Sequence, residues 1–155
     1  MSIAVIFCAA MAMTLTSCKK DAEDLIIGDW ELVNMEMTTS VSGLTGEYAM
    51  YNQDTTMVET PEAGESQTMT FKKDGTVTIV NVYADENENE TENGTYSIEG
   101  DNITLTVDNK PETFKLTIDK KTMSFFFSQT EQMQLDASQT ATVSYSVKMN
   151  YKKKK

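Results

Sequence analysis

Gly94-Thr95-Tyr96-Ser97-Ile98-Glu99-Gly100-Asp101-Asn102-Ile103-Thr104-Leu105-Thr106-Val107 decides the fold. Tyr96 and Ile98, then Ile103, Leu105 and Val107, alternate with Thr95, Ser97, Thr104 and Thr106. A period of two marks a strand with one buried face and one wet face. Between the runs, Glu99-Gly100-Asp101 is too short for anything but a tight reversal. The segment therefore predicts an antiparallel hairpin.

The same grammar extends in both directions. Upstream, Gln67-Thr68-Met69-Thr70-Phe71 runs through Lys72-Lys73-Asp74-Gly75 into Thr76-Val77-Thr78-Ile79-Val80. Asp-Gly between alternating runs is a strong hairpin signal, because both residues tolerate positive φ. The apolar parity slips from Val77 and Ile79 to Val80 and Val82, which predicts a bulge. Downstream, Phe114–Ile118 pairs with Thr122–Phe127 across Asp119-Lys120-Lys121. Thr142–Tyr151 alternates without a break for ten residues, ~33 Å of strand. Leu25–Val33 opens the domain, with a short helical turn at Ala22–Ile26 before it. Two regions carry weaker patterns. Met35–Gly64 predicts a strand near Glu47–Glu59 and a flexible stretch at Ser40–Gly46, and polar Gln129–Gln139 predicts a loop.

Short strands joined in sequence by tight turns make a meander. The expected architecture is all-β: an antiparallel up-and-down sheet of eight or nine strands that closes into a barrel and removes its edges. Parity points Met69, Phe71, Tyr96, Ile98, Ile103, Leu105 and Val107 inward. It does the same for Phe114, Leu116, Ile118, Phe125, Phe127, Val143, Tyr145, Val147 and Met149. These residues either fill the interior or line a cavity with Tyr96 and Tyr145 as polar handles, and both alternatives stand at this barrel size.

Gly28-Asp29-Trp30 at the head of the first strand is similar to the Gly-x-Trp signature of lipocalins. The phrases Thr70–Val77 and Gly94–Leu105 look like repeated segments of bacterial lipocalin-like lipoproteins, and the likeness covers most of residues 25–151. The resemblance implies a lipocalin-like barrel in which Trp30 plugs one end and Gly28 lets the chain turn close to the wall. It also implies an Arg over the Trp face. The chain contains no Arg, so Lys148 or Lys152 is expected to supply that cation.

Leu15-Thr16-Ser17-Cys18 closes a short apolar run, Ile3–Met13, and resembles the lipobox of Gram-negative lipoproteins. The run is shorter than the ~20 residues that span a bilayer but fits the core of a signal peptide. Met1-Ser2-Ile3 lack the expected basic residue, so the natural start is expected further upstream. The resemblance implies cleavage before Cys18 and acylation of it, by palmitate among other chains, each buried methylene adding ~0.8 kcal/mol of membrane attachment. The expected organisation is a cleaved leader at 1–17, lipidated Cys18 with a polar linker to 24, a barrel at 25–151 and a basic tail at 152–155. Lys19-Lys20-Asp21-Ala22-Glu23-Asp24 looks like a sorting segment for the outer face of the outer membrane, with the periplasmic face as the alternative.

Composition narrows the chemistry. The net charge is −11, with no His and two cysteines, Cys8 and Cys18. Both cysteines are committed to the leader and the lipid, which leaves no disulfide. Triads and dyads that need His or a free Cys are therefore excluded, and zinc loses its usual ligands. A phosphate-rich partner would be repelled, so no nucleic acid is expected. The acidic run Asp85–Gly94 has Glu90 and Tyr96 where an EF-hand needs Gly and Glu, and reads as a solvated loop. No metal, cofactor or enzyme activity is expected. The leading expectation is a membrane-anchored binder of an apolar or amphipathic small molecule. Its candidate lining or core residues are Trp30, Phe71, Tyr96, Leu105, Phe114, Leu116, Phe125, Phe127, Tyr145 and Val147. The alternative is a packed barrel whose loops contact protein or glycan, and a carboxylate-dependent hydrolase ranks last.

Overall fold

Two short segments, at 85–88 and 136–137, and the first sixteen residues fall outside the described part of the computed structural model, which covers residues 17–84, 89–135 and 138–155. Residues 1–16 of the expected leader and 85–88 of the acidic run lie in those segments; from Glu90 onward the run, expected as a solvated loop, is strand, because it pairs with its neighbour out to Asn81↔Glu90. The described elements begin with helix α1 (Ser17–Ile26), followed by β1 (Gly28–Ser42), a 3-10 turn at Gly46–Tyr51 and β2 (Gln53–Glu59). Then come β3 (Ser66–Phe71), β4 (Thr76–Val82), β5 (Glu90–Glu99), β6 (Asn102–Val107), β7 (Lys110–Ile118), β8 (Thr122–Gln134) and β9 (Thr140–Lys153).

All pairings are antiparallel, and β1 bonds to β9, so eight strands close into a ring with β2 added outside it. β1 changes partner along its length. Gly28–Glu31 pair with β3, and Met35–Val41 pair with β2. The switch falls where a bulge between Leu32 and Asn34 shifts the register against β9. Bulges bend a strand and increase its twist, and here the bend carries β1 out of the ring. The bulge expected in β4 is absent, because Ser66–Phe71 and Val82–Val77 pair in unbroken register. Val80 and Val82 face outward, which leaves Asn81 inward opposite Gln67.

The other expected hairpins form, and one unexpected turn joins them. Asp108 and Asn109 adopt φ of 51° and 61° and connect β6 to β7. Asp and Asn accept this left-handed pair better than other non-glycine residues. Polar Gln129–Gln134, expected as a loop, instead continue β8 in register with β9 out to Gln134↔Thr140. Neither face of that stretch is apolar, so alternation could not reveal it; the long β9 supplies the template. Together β1, β2, β8 and β9 carry a sheet past the ring.

Helix α1 covers the opposite end. Ile26 and Trp30 are fully buried, and the Trp30 indole donates to the Ile26 carbonyl at 2.7 Å. Lys153 Nζ donates to the Leu25 carbonyl at 2.9 Å and lies 5.0 Å from the Trp30 ring centre. Two orphan carbonyls of the last helical turn are thus satisfied by the barrel, and the ammonium stands where the helix dipole is negative. The cation over Trp30 is therefore Lys153, not Lys148 or Lys152. Lys152 faces out to Glu31 at 3.2 Å. The expected basic tail is strand as far as Lys153.

Candidate functional site

Inward-facing side chains divide the barrel into a packed half and an open half. Next to α1, Phe71 meets Tyr96 edge-on at 5.0 Å and Phe125 at 6.5 Å. Phe125 also stacks on Phe114 at 5.8 Å and contacts Tyr151 at 5.4 Å. Edge-to-face and offset contacts of this kind add ~0.5–1.5 kcal/mol each beyond simple burial. Trp30, Phe71, Leu105, Leu116 and Phe125 are buried in this core, while Tyr96 and Phe114 are partly buried against it. The Tyr96 hydroxyl donates to the Lys72 carbonyl at 2.9 Å, at the sealed end. Desolvation, then the Asp74 and Glu23 charges, push its pKa up.

Above Phe125 the interior opens. A cavity of about 370 Å³ is lined by Met69, Ile79, Leu105, Val107, Phe114 and Met149, with Gln67 and Tyr151 among them. This volume lies at the lower end of the ~300–1,000 Å³ range of small-molecule pockets. Its polar groups form a chain. Tyr151 Oη donates to Gln67 Oε1 at 2.8 Å, and Gln67 Nε2 donates to Asn81 Oδ1 at 2.9 Å. Burial drives the Tyr151 hydroxyl well above the ordinary tyrosine range, so it stays a neutral donor and acceptor. Glu92, Asp108, Lys110 and Glu112 stand around the mouth of the cavity.

A second space opens through the wall. The β7–β8 ladder runs only from Ile118↔Met123 to Lys115↔Phe126. Beyond it β7 follows β6 while β8 follows β9. Pro111 occupies the β7 position whose N–H would point toward β8, since Val107 and Lys110 close the two-residue turn and bond to each other. The resulting cleft of about 560 Å³ is lined by Pro111, Phe114, Phe127, Val147 and Met149 and is mainly apolar. It shares Glu112, Phe114 and Met149 with the lumen.

The structure thus assigns different places to the residues expected inside. Val147 lines the side cleft. Phe127 and Tyr145 keep inward parity but are 39% and 42% exposed, because their strands have left the ring. Neither Tyr145 nor Tyr96 lines the cavity; Tyr151 and Gln67 do, and Gln67 passes a hydrogen bond on to Asn81 in the adjoining groove. Only the absence of a β4 bulge could have exposed Gln67 and Asn81 as an inward pair. Cys18 falls within α1, and its side chain lies outside the described residues. Among the described residues there is no group of three or more Cys, Asp or Glu arranged to hold a metal.

The profile of the lipocalin-like domain family matches residues 26–125, from the end of α1 through Phe125. The chain belongs to the lipocalin-like domain family. No curated protein matches the sequence. Among solved structures, an uncharacterized protein from Bacteroides eggerthii is similar at 14% identity and a TM-score of 0.47, over 83% of this chain and 99% of that one. In the lipocalin-like domain described here, the matched span holds Trp30, the aromatics Phe71, Tyr96, Phe114 and Phe125, and all of the lumen lining except Met149 and Tyr151. The protruding β8–β9 arm lies beyond it.

Proposed function

We propose that this protein is a membrane-tethered, non-catalytic binder that takes an apolar or amphipathic small molecule into the open half of its barrel. The observation that carries the proposal is the lumen itself, a cavity with apolar walls, a charged mouth and the hydrogen-bonded pair Tyr151–Gln67 inside it. A few convergent polar groups on an apolar lining orient a ligand while burial supplies the affinity. Membership in the lipocalin-like domain family supports a binding role rather than a catalytic one.

Tethering rests on the lipobox at Leu15–Cys18. Acylation at Cys18 would hold α1, and with it the sealed end, toward the membrane while the mouth faces away. The expected location is the outer membrane, on its outer face. Palmitate labelling in cells that disappears with Cys18→Ala supports the tether, and an unlabelled, unprocessed wild-type chain overturns it.

Binding is tested by thermal shift and native mass spectrometry with fatty acids, haem and bile-type amphiphiles. A ligand present at 100 times its Kd adds ~2.7 kcal/mol to stability, a shift of several degrees. Leu105→Trp, which fills the lumen, should abolish the gain. If no ligand raises the melting temperature, or if Leu105→Trp keeps the full shift, the reading fails.

A second reading has its own observation. The arm beyond the ring exposes Met57, Phe127, Met133 and Tyr145. These side chains fit an interaction surface on a packed barrel.

A further inference from the structure

The lumen and the side cleft are not equivalent chemically, and their difference narrows the ligand. The lumen ends at a mouth of mixed apolar and acidic character, whereas the cleft between β7 and β8 is apolar along almost its whole lining. Because Glu112, Phe114 and Met149 line both, one molecule can occupy them together. An apolar chain in the cleft places its head at the mouth.

The mouth is acidic. Glu92 pairs with Ile79, whose side chain is buried inside the barrel, so Glu92 faces the lumen at a position where alternation favours an apolar residue. Glu112 pairs with inward Leu105 and takes the same face. Among the described residues, neither carboxylate side chain has an ion-pair or hydrogen-bond partner. Asp108 adds a third negative charge and Lys110 a single positive one. The adjoining groove, which shares Gln67, brings Glu59 and Glu65. The surrounding field has the same sign, with a net charge of −11.

Resting on the binding role proposed above, we infer that the ligand is a chain-like amphiphile with a cationic head. Its chain spans the lumen and the β7–β8 cleft, passing Phe114 and Met149 to reach Phe127 and Val147, and its head sits between Glu92 and Glu112. An anionic amphiphile of equal length meets the same apolar cleft but an unfavourable mouth. Glu92 is half-buried and Glu112 exposed, so attraction or repulsion is felt more strongly at Glu92 than in bulk water, and it weakens as salt rises.

The experiment is calorimetric titration of the full chain with three probes sharing one tail, each below its micelle concentration: dodecyltrimethylammonium, dodecyl maltoside and dodecanoate. The cationic probe should bind about tenfold or more tighter than dodecanoate, with the neutral probe between them and the gap narrowing in high salt. Glu92→Gln with Glu112→Gln should bring the three affinities together. Lys110→Glu, an exposed change that does not depend on the double variant folding, should widen the gap. Val147→Trp should weaken all three probes alike. Equal or tighter binding of dodecanoate, or a gap unmoved by the charge variants, overturns the cationic head and leaves the pocket standing. Binding of none of the probes, together with none of the ligands named earlier, removes the pocket itself.

Discussion

Replacing Lys153 with Met keeps the aliphatic stem and removes only the charge. The ammonium gives the Leu25 carbonyl a 2.9 Å hydrogen bond and lies 5.0 Å from the Trp30 ring. A hydrogen bond involving a charged group contributes ~1.5–3 kcal/mol, and a partly screened cation–π contact ~0.5–1 kcal/mol. Lys153→Met should therefore cost roughly 2–4 kcal/mol. At roughly 4 °C per kcal/mol for a domain of this size, the melting temperature should fall by about 8–16 °C. The internal control is one residue away. Lys152 reaches Glu31 at 3.2 Å with side chains 61% and 31% exposed, a surface pair worth ~0.2–1 kcal/mol. Thermal unfolding followed by circular dichroism, with Trp30 emission recorded alongside, compares the two variants. Lys153→Met should also shift Trp30 emission to longer wavelength as α1 loosens. If the two substitutions destabilise equally, or if the emission does not move, α1 is not held by this lysine and the latch reasoning is wrong.

Other outcomes follow from the same geometry. Gly94→Ala should prevent folding or cost at least ~3 kcal/mol, because a Cβ there runs into the Thr106 carbonyl and Val107 Cγ2; expression and denaturant melts report it. Phe125→Ala empties the centre of the aromatic chain and should cost ~3–5 kcal/mol by urea unfolding. Asp119 accepts from the Lys121 and Thr122 amides and the Thr122 hydroxyl at 2.6–2.8 Å, and these bonds hold its pKa below the ordinary carboxylate value. A depressed folded pKa gives stability that is present above the unfolded pKa near 4 and lost as pH falls through the folded value. The melting-temperature gap between wild type and Asp119→Ala should therefore be full at pH 7 and close as the solution becomes strongly acidic. Tyr151 has the opposite sign. Its raised pKa gives stability that is present below about pH 10 and lost as pH climbs toward the folded value. Tyr151→Phe should be the weaker protein at pH 7, by ~1 kcal/mol for the lost bond to Gln67, yet lose less on going to strong alkali.

Much of the barrel could be read from residues alone, and the misreadings share a cause. Strands with one apolar face, such as β5, β6 and the body of β9, show themselves by alternation. Where a strand is polar on both faces, as at Gln129–Gln134, only its partner holds it in the sheet, and its own sequence is silent. The parity slip at Val80 looked like a bulge because apolar residues were assumed to face inward. In fact the structure keeps the register and places Asn81 and Gln67 inside, where the lumen begins. Lys153 was hidden within four consecutive lysines, and only its pairing with Trp30 distinguishes it from its neighbours. The site was less legible than the fold, since an open interior and a filled one require the same alternation. The deciding event is local: Pro111 and the Asp108-Asn109 turn let β7 part from β8.

The bond between β1 and β9 has one more consequence. Trp30 and Lys153 are register partners, so the first and last strands of the ring adjoin at its floor and the circle has no privileged starting point. A short linker joining the end of β9 to the start of β1, with the chain reopened at Asp108-Asn109, would give a permuted protein with the same neighbours in the same order. Its new ends would lie beside the mouth, where a tag or tether could be added without touching the floor.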